Sequence, residues 1–297
     1  MRKFIQHIVL FVSASLILSV LGLGILIRFY SEKLDPFYLR FTSYHKEGLV
    51  IGSSRAAQAI EPSCFNHALY NFSFTIKLSP FDSTYLKLIQ KYHPIGTYDS
   101  SRLHIISVDP WALYTYKNQK EEIINPSFEK LIEVPVQNPN LHYIYHFVPV
   151  LKSLKTILSS DNYVNAGGRF VVPMDSAYLI QNDKNIQLKI DFYKKKPEYT
   201  EGYFSEKRLD VLKAIIKYLS KDGRVVLVRL PVHDQMFAIE QNMSPDFDEL
   251  MASTGKTHQV QYINLMPQRN NYLYTDGNHI WNGHVKRLNE AIKEEIK

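Results

Sequence analysis

The sequence predicts an α/β domain on a mostly parallel, five-stranded sheet, preceded by one N-terminal transmembrane helix. Three observations carry this. Short apolar runs of strand length alternate with longer segments of helical periodicity. Several of these runs are apolar without alternation, as strands buried on both faces are. Residues 8–27 (IVLFVSASLILSVLGLGILI) carry no charge, and about 20 apolar residues span a bilayer core of roughly 30 Å.

The elements follow in order. Arg2 and Lys3 precede the apolar run, which favours a cytoplasmic N-terminus. The run is long for a cleaved signal peptide and no clear A-x-A site follows it, so an uncleaved anchor is expected. Residues 1–34 then form the cytoplasmic tip and anchor, and residues 35–297 an extracytoplasmic domain that starts with a linker to about residue 46. Residues 49–51 read as the first strand, running into Gly52, and residues 68–72 as the second. Ser79 and Pro80 suit the N-cap and first position of a helix to about residue 92. Residues 104–108 form the third strand, ending in Asp109-Pro110-Trp111.

About 110 residues separate this strand from the fourth, at 224–228. That is far more than a crossover needs. Residues 141–158 read as an aromatic-rich helix and Gly167-Gly168 as a turn. An insertion of about residues 113–203 is expected over the carboxyl ends of the strands, where open α/β sheets bind ligands. Residues 206–219 put Leu209, Leu212, Ile215, Ile216 and Leu219 on one helical face. Residues 262–265 are the fifth strand. The last helix begins near Asn282, a plausible N-cap, with Val285, Leu288 and Ile292 on one side.

Composition narrows the function. The single cysteine, Cys64, excludes a disulfide-stapled scaffold. No C-x-x-C or H-E-x-x-H pattern occurs, so no metal site is expected. The chain is mildly basic, with a formal charge of +6. Its densest cluster, Lys194-Lys195-Lys196, reads as a solvated loop or as a surface for anionic headgroups or glycans. Nothing resembles a nucleic-acid module.

Two motifs at opposite ends of the domain carry chemistry. Gly52-Ser53-Ser54-Arg55 follows the first strand, and Asp276-Gly277-Asn278-His279 precedes the last helix. Together they supply a serine, an imidazole and a carboxylate. A serine nucleophile needs a base to take its proton, and the base needs a carboxylate to fix its tautomer. Each residue also has a plainer reading. Ser54 suits a helix cap or an anion-binding loop. Asp276-Gly277 is a strong turn signal. Among 11 histidines, His233 after the fourth strand and His284 in the last helix are rivals to His279.

At these motifs the chain resembles the SGNH (GDSL-like) hydrolase superfamily over roughly residues 45–297. It is most similar to the membrane-anchored sub-group that includes the DltD-type and the alginate and peptidoglycan O-acetylation proteins. The resemblance implies a three-layer, flavodoxin-like sandwich. It makes Ser54, third in the G-x-S triplet, the nucleophile in preference to Ser53. His279 becomes the base and Asp276 the acid that orients it. The backbone amides of Ser54 and Ser73 would face the oxyanion, with Ser73 standing where the family has glycine. The family's third donor, an asparagine after the third strand, is absent from Ser107-Val108-Asp109-Pro110. A carboxylate donates only when protonated. Asn71 is a candidate substitute. Arg55 is a candidate for gripping a substrate carboxylate or phosphate, or for a structural pair with Asp109 or Glu61. Arg55, Asn71 and Asp109 make up the candidate substrate-binding set.

The function implied is a serine acyltransferase or esterase acting on O-acyl groups of cell-envelope glycan. It needs no cofactor. Its substrate is an acylated glycan or acyl carrier, and its partner a membrane-bound O-acyltransferase. The missing asparagine and Ser73 motivate the alternative, an inactive SGNH-like glycan-binding or scaffolding subunit. A third reading is a phosphate-binding α/β protein that uses residues 52–55 as its anion loop.

Overall fold

The five apolar runs pair side by side in one all-parallel sheet. This is seen in a computed structural model that describes residues 1–34, 37–73, 79–116, 126–147, 161–174, 179 and 182–296. The chain opens with helix α1 (Arg2–Leu34). Then come β1 (Gly48–Ile51), α2 (Ser54–Ala59), β2 (Leu69–Asn71), α3 (Ser83–Tyr92) and β3 (Leu103–Ser107). The middle of the chain holds α4 (Pro110–Leu113), β4 (Tyr114–Tyr116), α5 (Leu141–Phe147), β5 (Tyr163–Val164), β6 (Phe170–Val171), α6 (Asn182–Lys194) and β7 (Gly202–Phe204). The last part runs α7 (Glu206–Leu219), β8 (Arg224–Arg229), α8 (Asp234–Met243), α9 (Phe247–His258), β9 (Gln261–Asn264) and α10 (Val285–Glu295).

The sheet order is β2-β1-β3-β8-β9. Side chains alternate across it, as the two-residue period of a strand requires. Leu49, Ile51, Ile106, Val225 and Leu227 face one apolar cluster, with α3, α7 and α9 packed on it. Val50, Ile105, Val226, Val228 and Ile263 face the other, with Ala56 and Ala59 of α2 and Leu288 and Ile292 of α10. Both faces of the sheet are therefore covered by helices. This explains the unbroken apolar runs.

Helix α1 contains a segment, Arg2–Ile25, long and apolar enough to cross a membrane. The expected linker up to residue 46 is instead structural. Tyr38 and Phe41 are fully buried in the core, and His45 stacks on Tyr70 with ring centroids 3.7 Å apart. Aromatic residues carry enough apolar area to pull this stretch onto the domain. Helix α3 starts later than expected. Ser79 holds the amide of Phe81 at 3.3 Å, and Asp82 is the true N-cap, accepting from the Thr84 amide at 2.7 Å. A carboxylate at that position also meets the positive end of the helix. Asn282 lies in a short 3-10 turn and does not cap α10. Of the helix expected over 141–158, α5 covers the first seven residues, and 148–158 lie outside the described residues.

The long segment after β3 has a closed neck. Strands β4 and β7 pair antiparallel, Tyr114 opposite Phe204, so its two ends leave and return together. Inside it, Gly167-Gly168 turns between β5 and β6. Helix α6 buries Ile186 and Ile190 against Met236 and Ile239 of α8 in a small apolar cluster of their own.

Among the described residues three histidines, His45, His93 and His104, are buried in the main body. Burial holds His45 neutral, with its pKa lowered to about 4. Burial, then the neighbouring His93, lowers His104 to about 3. Unfolded histidine titrates near about 6.5. As pH falls, the unfolded chain takes up these protons first. The stabilisation is complete above about pH 6.5 and is lost progressively towards about pH 4 and about pH 3. Each group accounts for ~2 kcal/mol between pH 6.5 and 5. Calorimetry is expected to show the melting temperature dropping from pH 7 to pH 5, with a shallower drop in His104→Gln.

Candidate active site

The sheet order reverses at β1, whose neighbours β2 and β3 carry the chain away on opposite sides. Such a switch point leaves a crevice beyond the carboxyl ends of the strands. Gly52 leads into it. A Cβ there would lie 2.8 Å from the Cβ atoms of both Ala56 and Ser107, so the turn from strand to helix needs glycine. Ser53 has extended backbone and precedes α2, and its hydroxyl donates to Asp109 Oδ2 at 2.8 Å. Ser54 is the first helical residue, partly exposed. Its hydroxyl does not cap the helix. It lies 2.8 Å from His279 Nε2.

His279 is presented by a tight loop. Thr275 N–H donates to the His279 carbonyl at 2.9 Å, and Trp281 N–H to the Leu273 carbonyl at 2.8 Å. Gly277 turns the loop at φ +78°, a region that favours glycine. Asp276 Oδ1 accepts from the amides of Asn278 and His279 at 3.0 and 2.9 Å. The same carboxylate meets His279 Nδ1 at 3.1 and 3.0 Å. Asp276 is thus both the turn residue and the partner of the imidazole. With Nδ1–H donating to Asp276, Nε2 keeps its lone pair for the Ser54 hydroxyl.

A second group holds the acid. Lys189 of α6 reaches Asp276 Oδ2 at 3.1 Å. Burial works against the charge on Asp276. The hydrogen bond and charge of His279, then Lys189, outweigh burial and hold the carboxyl well below the usual range. The segment between β3 and β8 therefore contributes to this site through α6.

Arg55 faces inward and is buried. Its Nη2 donates to Glu240 Oε1 at 2.5 Å and to Asn278 Oδ1 at 2.6 Å, and its Nε to Asn278 Oδ1 at 2.9 Å. The pairing expected with Asp109 or Glu61 is replaced by Glu240 and Asn278. Glu61 instead meets Arg169 at 3.4 Å and Asn165 at 2.8 Å. Glu240 is fully buried and also accepts from Trp111 Nε1 at 3.1 Å and Arg229 Nη2 at 3.2 Å. Burial disfavours the Arg55 charge, but Glu240 and Asp109 overcome this and raise its pKa. So engaged, Arg55 is a structural residue and not a substrate grip.

The expected oxyanion donors need correction. The Ser73 amide already donates to Asn71 Oδ1 at 3.1 Å. Asn71 spends its own Nδ2 on the carbonyls of Ala56 and Ile60, at 2.9 and 2.8 Å, inside the core. It pins α2 to β2 and offers nothing to a ligand. Asp109 accepts with both oxygens, from Ser53 and from the Ala112 amide at 3.1 Å, as a helix cap. Of the expected donors, the Ser54 amide stands apart: as the first of a helix, it has no acceptor within that helix.

The rival histidines are used elsewhere. His233 Nδ1 accepts from the Gln235 amide at 3.3 Å, and His284 Nδ1 from the Leu273 amide at 2.9 Å. Among the described residues one cluster has metal-ligand chemistry: His93, His104 and Asp222, fully buried. Its wiring does not suit a cation. His104 Nδ1 accepts from the Leu49 amide at 3.1 Å, so its Nε2 carries the proton, 3.3 Å from Asp222. Arg102 also pairs with Asp222.

Sequence reasoning missed Lys189, Asn278 and Glu240. Glu240 had a signal: it falls four residues after Met236, on the apolar side of α8. Compared with known proteins, the chain matches no family model and no curated protein.

Glu240→Ala leaves two buried guanidinium groups without their shared carboxylate. It is expected to cost ~3–5 kcal/mol in urea unfolding, as breaking a buried ion pair does.

Proposed function

We propose that the protein is a membrane-anchored, extracytoplasmic serine acyltransferase or esterase acting on O-acyl groups of cell-envelope glycan. The observation that carries the chemical part is the contact chain from Ser54 Oγ through His279 to Asp276, at 2.8, 3.1 and 3.0 Å. These are the distances and roles that nucleophilic acyl chemistry requires. The helices on both faces of the sheet support reading the domain as a three-layer, flavodoxin-like member of the SGNH superfamily. The apolar segment Arg2–Ile25 and the two basic residues at its start, Arg2 and Lys3, support the anchor and its orientation.

Ser54 Oγ attacks the acyl carbonyl as Nε2 of His279 takes its proton. Asp276 holds the imidazole in the Nδ1–H tautomer and offsets the charge that forms on it. The Ser54 amide faces the developing oxyanion. The proton on Nε2 then passes to the departing oxygen, leaving acyl-Ser54. A glycan hydroxyl or water gives its proton to Nε2 and takes the acyl group, and Nε2 returns that proton to Ser54 Oγ as the acyl–Ser54 bond breaks. No cofactor takes part in this scheme. In the cell the acyl group would come from an acyl carrier or a membrane-bound O-acyltransferase.

A second reading is an inactive glycan-binding or scaffolding subunit. It is favoured by the engagement of Ser73 and Asn71, which removes them as oxyanion donors, and by that of Asp109, which removes it from the substrate-binding set. One experiment separates the two. The full-length protein in detergent is treated with a fluorophosphonate, then subjected to intact mass and peptide mapping. A single adduct on Ser54 is expected. It should be absent in Ser54→Ala and form about 10²–10⁴-fold more slowly in His279→Ala. A folded protein that forms no adduct favours the inactive subunit.

A further inference from the structure

Asn278 lies beside the triad and has an orientation that its neighbours dictate. Arg55 is a donor only, and two of its N–H groups point at one side-chain atom of Asn278. That atom must be the carbonyl oxygen. The amide NH2 therefore turns to the other side, where it lies 3.4 Å from His279 Nε2. Asn278 is buried. The Nε2 contact is long, and the lone pair there already serves the Ser54 hydroxyl at 2.8 Å. A buried amide donor is thus held at the imidazole edge with its hydrogen-bonding capacity little used.

The place it occupies is chemically specific. Nε2 is the atom that hands a proton to the departing oxygen and takes one from the incoming hydroxyl. A donor beside Nε2 meets that same oxygen. We propose that Asn278 is a further catalytic residue, whose NH2 donates to the alkoxy oxygen as it leaves the acyl carbon and to the acceptor hydroxyl as it arrives. This rests on the reading of Ser54 as nucleophile. In acylation the bond from acyl carbon to alkoxy oxygen breaks, and its electron pair stays on the oxygen. That oxygen takes the proton which Ser54 gave to Nε2, while Asn278 supplies a second hydrogen bond. In the second half the acceptor O–H points at Nε2 and a lone pair receives the Asn278 N–H. Its proton moves to Nε2 as its oxygen bonds the acyl carbon; the bond from that carbon to Ser54 Oγ then breaks, its electron pair stays on Oγ, and Oγ takes the proton back from Nε2. Buried Arg55 then has a purpose beyond packing: it is a positioning residue that sets which way the Asn278 amide faces.

The test uses leaving-group dependence on the full-length protein in detergent. Asn278→Ala removes the amide. Asn278→Asp keeps an acceptor for Arg55 and removes the NH2, so loss of the fold and loss of the donor are separable by melting temperature. Each is compared with wild type on 4-nitrophenyl acetate and on ethyl acetate, through kcat/KM. Nitrophenolate leaves without help, whereas ethoxide does not. Both variants are expected to lose about 10- to 100-fold on ethyl acetate and less than about threefold on the nitrophenyl ester. Parallel losses on both esters would assign Asn278 to the oxyanion or to packing and overturn the proposal. Unchanged rates on both would also overturn it. If wild type forms no fluorophosphonate adduct and turns over neither ester, the reading of Ser54 as nucleophile falls instead.

Discussion

A guanidinium cannot be buried without partners, and Arg55 is buried immediately after Ser54. Its partners come from two distant parts of the chain. Glu240 stands on α8 and Asn278 in the loop before α10. Satisfying one charge therefore draws three segments to one point. The start of α2 is fixed against the loop that carries Asp276 and His279. Placement of Ser54 against His279 follows from this, because each is one residue away from a member of the Arg55 network.

Glu240 balances a second cation. It also accepts from Arg229 at the end of β8, and Arg229 in turn reaches Asp248 at 2.6 Å. The carboxyl ends of the strands are thus tied by alternating charges below the crevice. Above it the segment between β3 and β8 adds Lys189, and Trp111 and Tyr193 pack edge to face at 4.6 Å. Lys196 lies over the Tyr193 ring at 4.2 Å. The lysine run thus has one member set against aromatic rings, while Lys194 and Lys195 are exposed.

The same logic explains why the familiar donor positions are closed. Asn71 is needed inside the fold. It satisfies the carbonyl of Ile60, just past the end of α2, and adds a second hydrogen bond to that of Ala56, which also accepts from the Ile60 amide at 3.1 Å. Having turned its NH2 to them, it presents its oxygen to the Ser73 amide. Asp109 has a similar commitment as the cap of α4. The resemblance would turn Ser73 and Asn71 towards an oxyanion, but the core holds them.

The sequence by itself determined the five strands, the helix faces of α7 and α10 and the apolar segment near the N-terminus. Those features depend on local periodicity and on side chains that must leave water. It also placed the serine and the Asp–His pair at the two ends of the domain, since each motif is short and contiguous. The buried stretch around Tyr38 and Phe41 escaped it, because its aromatic residues follow no helical or strand period. Only the tertiary structure decided the partners. Ser54 and His279 are 225 residues apart, and Arg55 and Glu240 are 185 apart. Which of Glu61, Asp109 and Glu240 meets Arg55, and whether the Ser73 amide is free, depends on distances through space. Spacing along the chain carries no record of those distances.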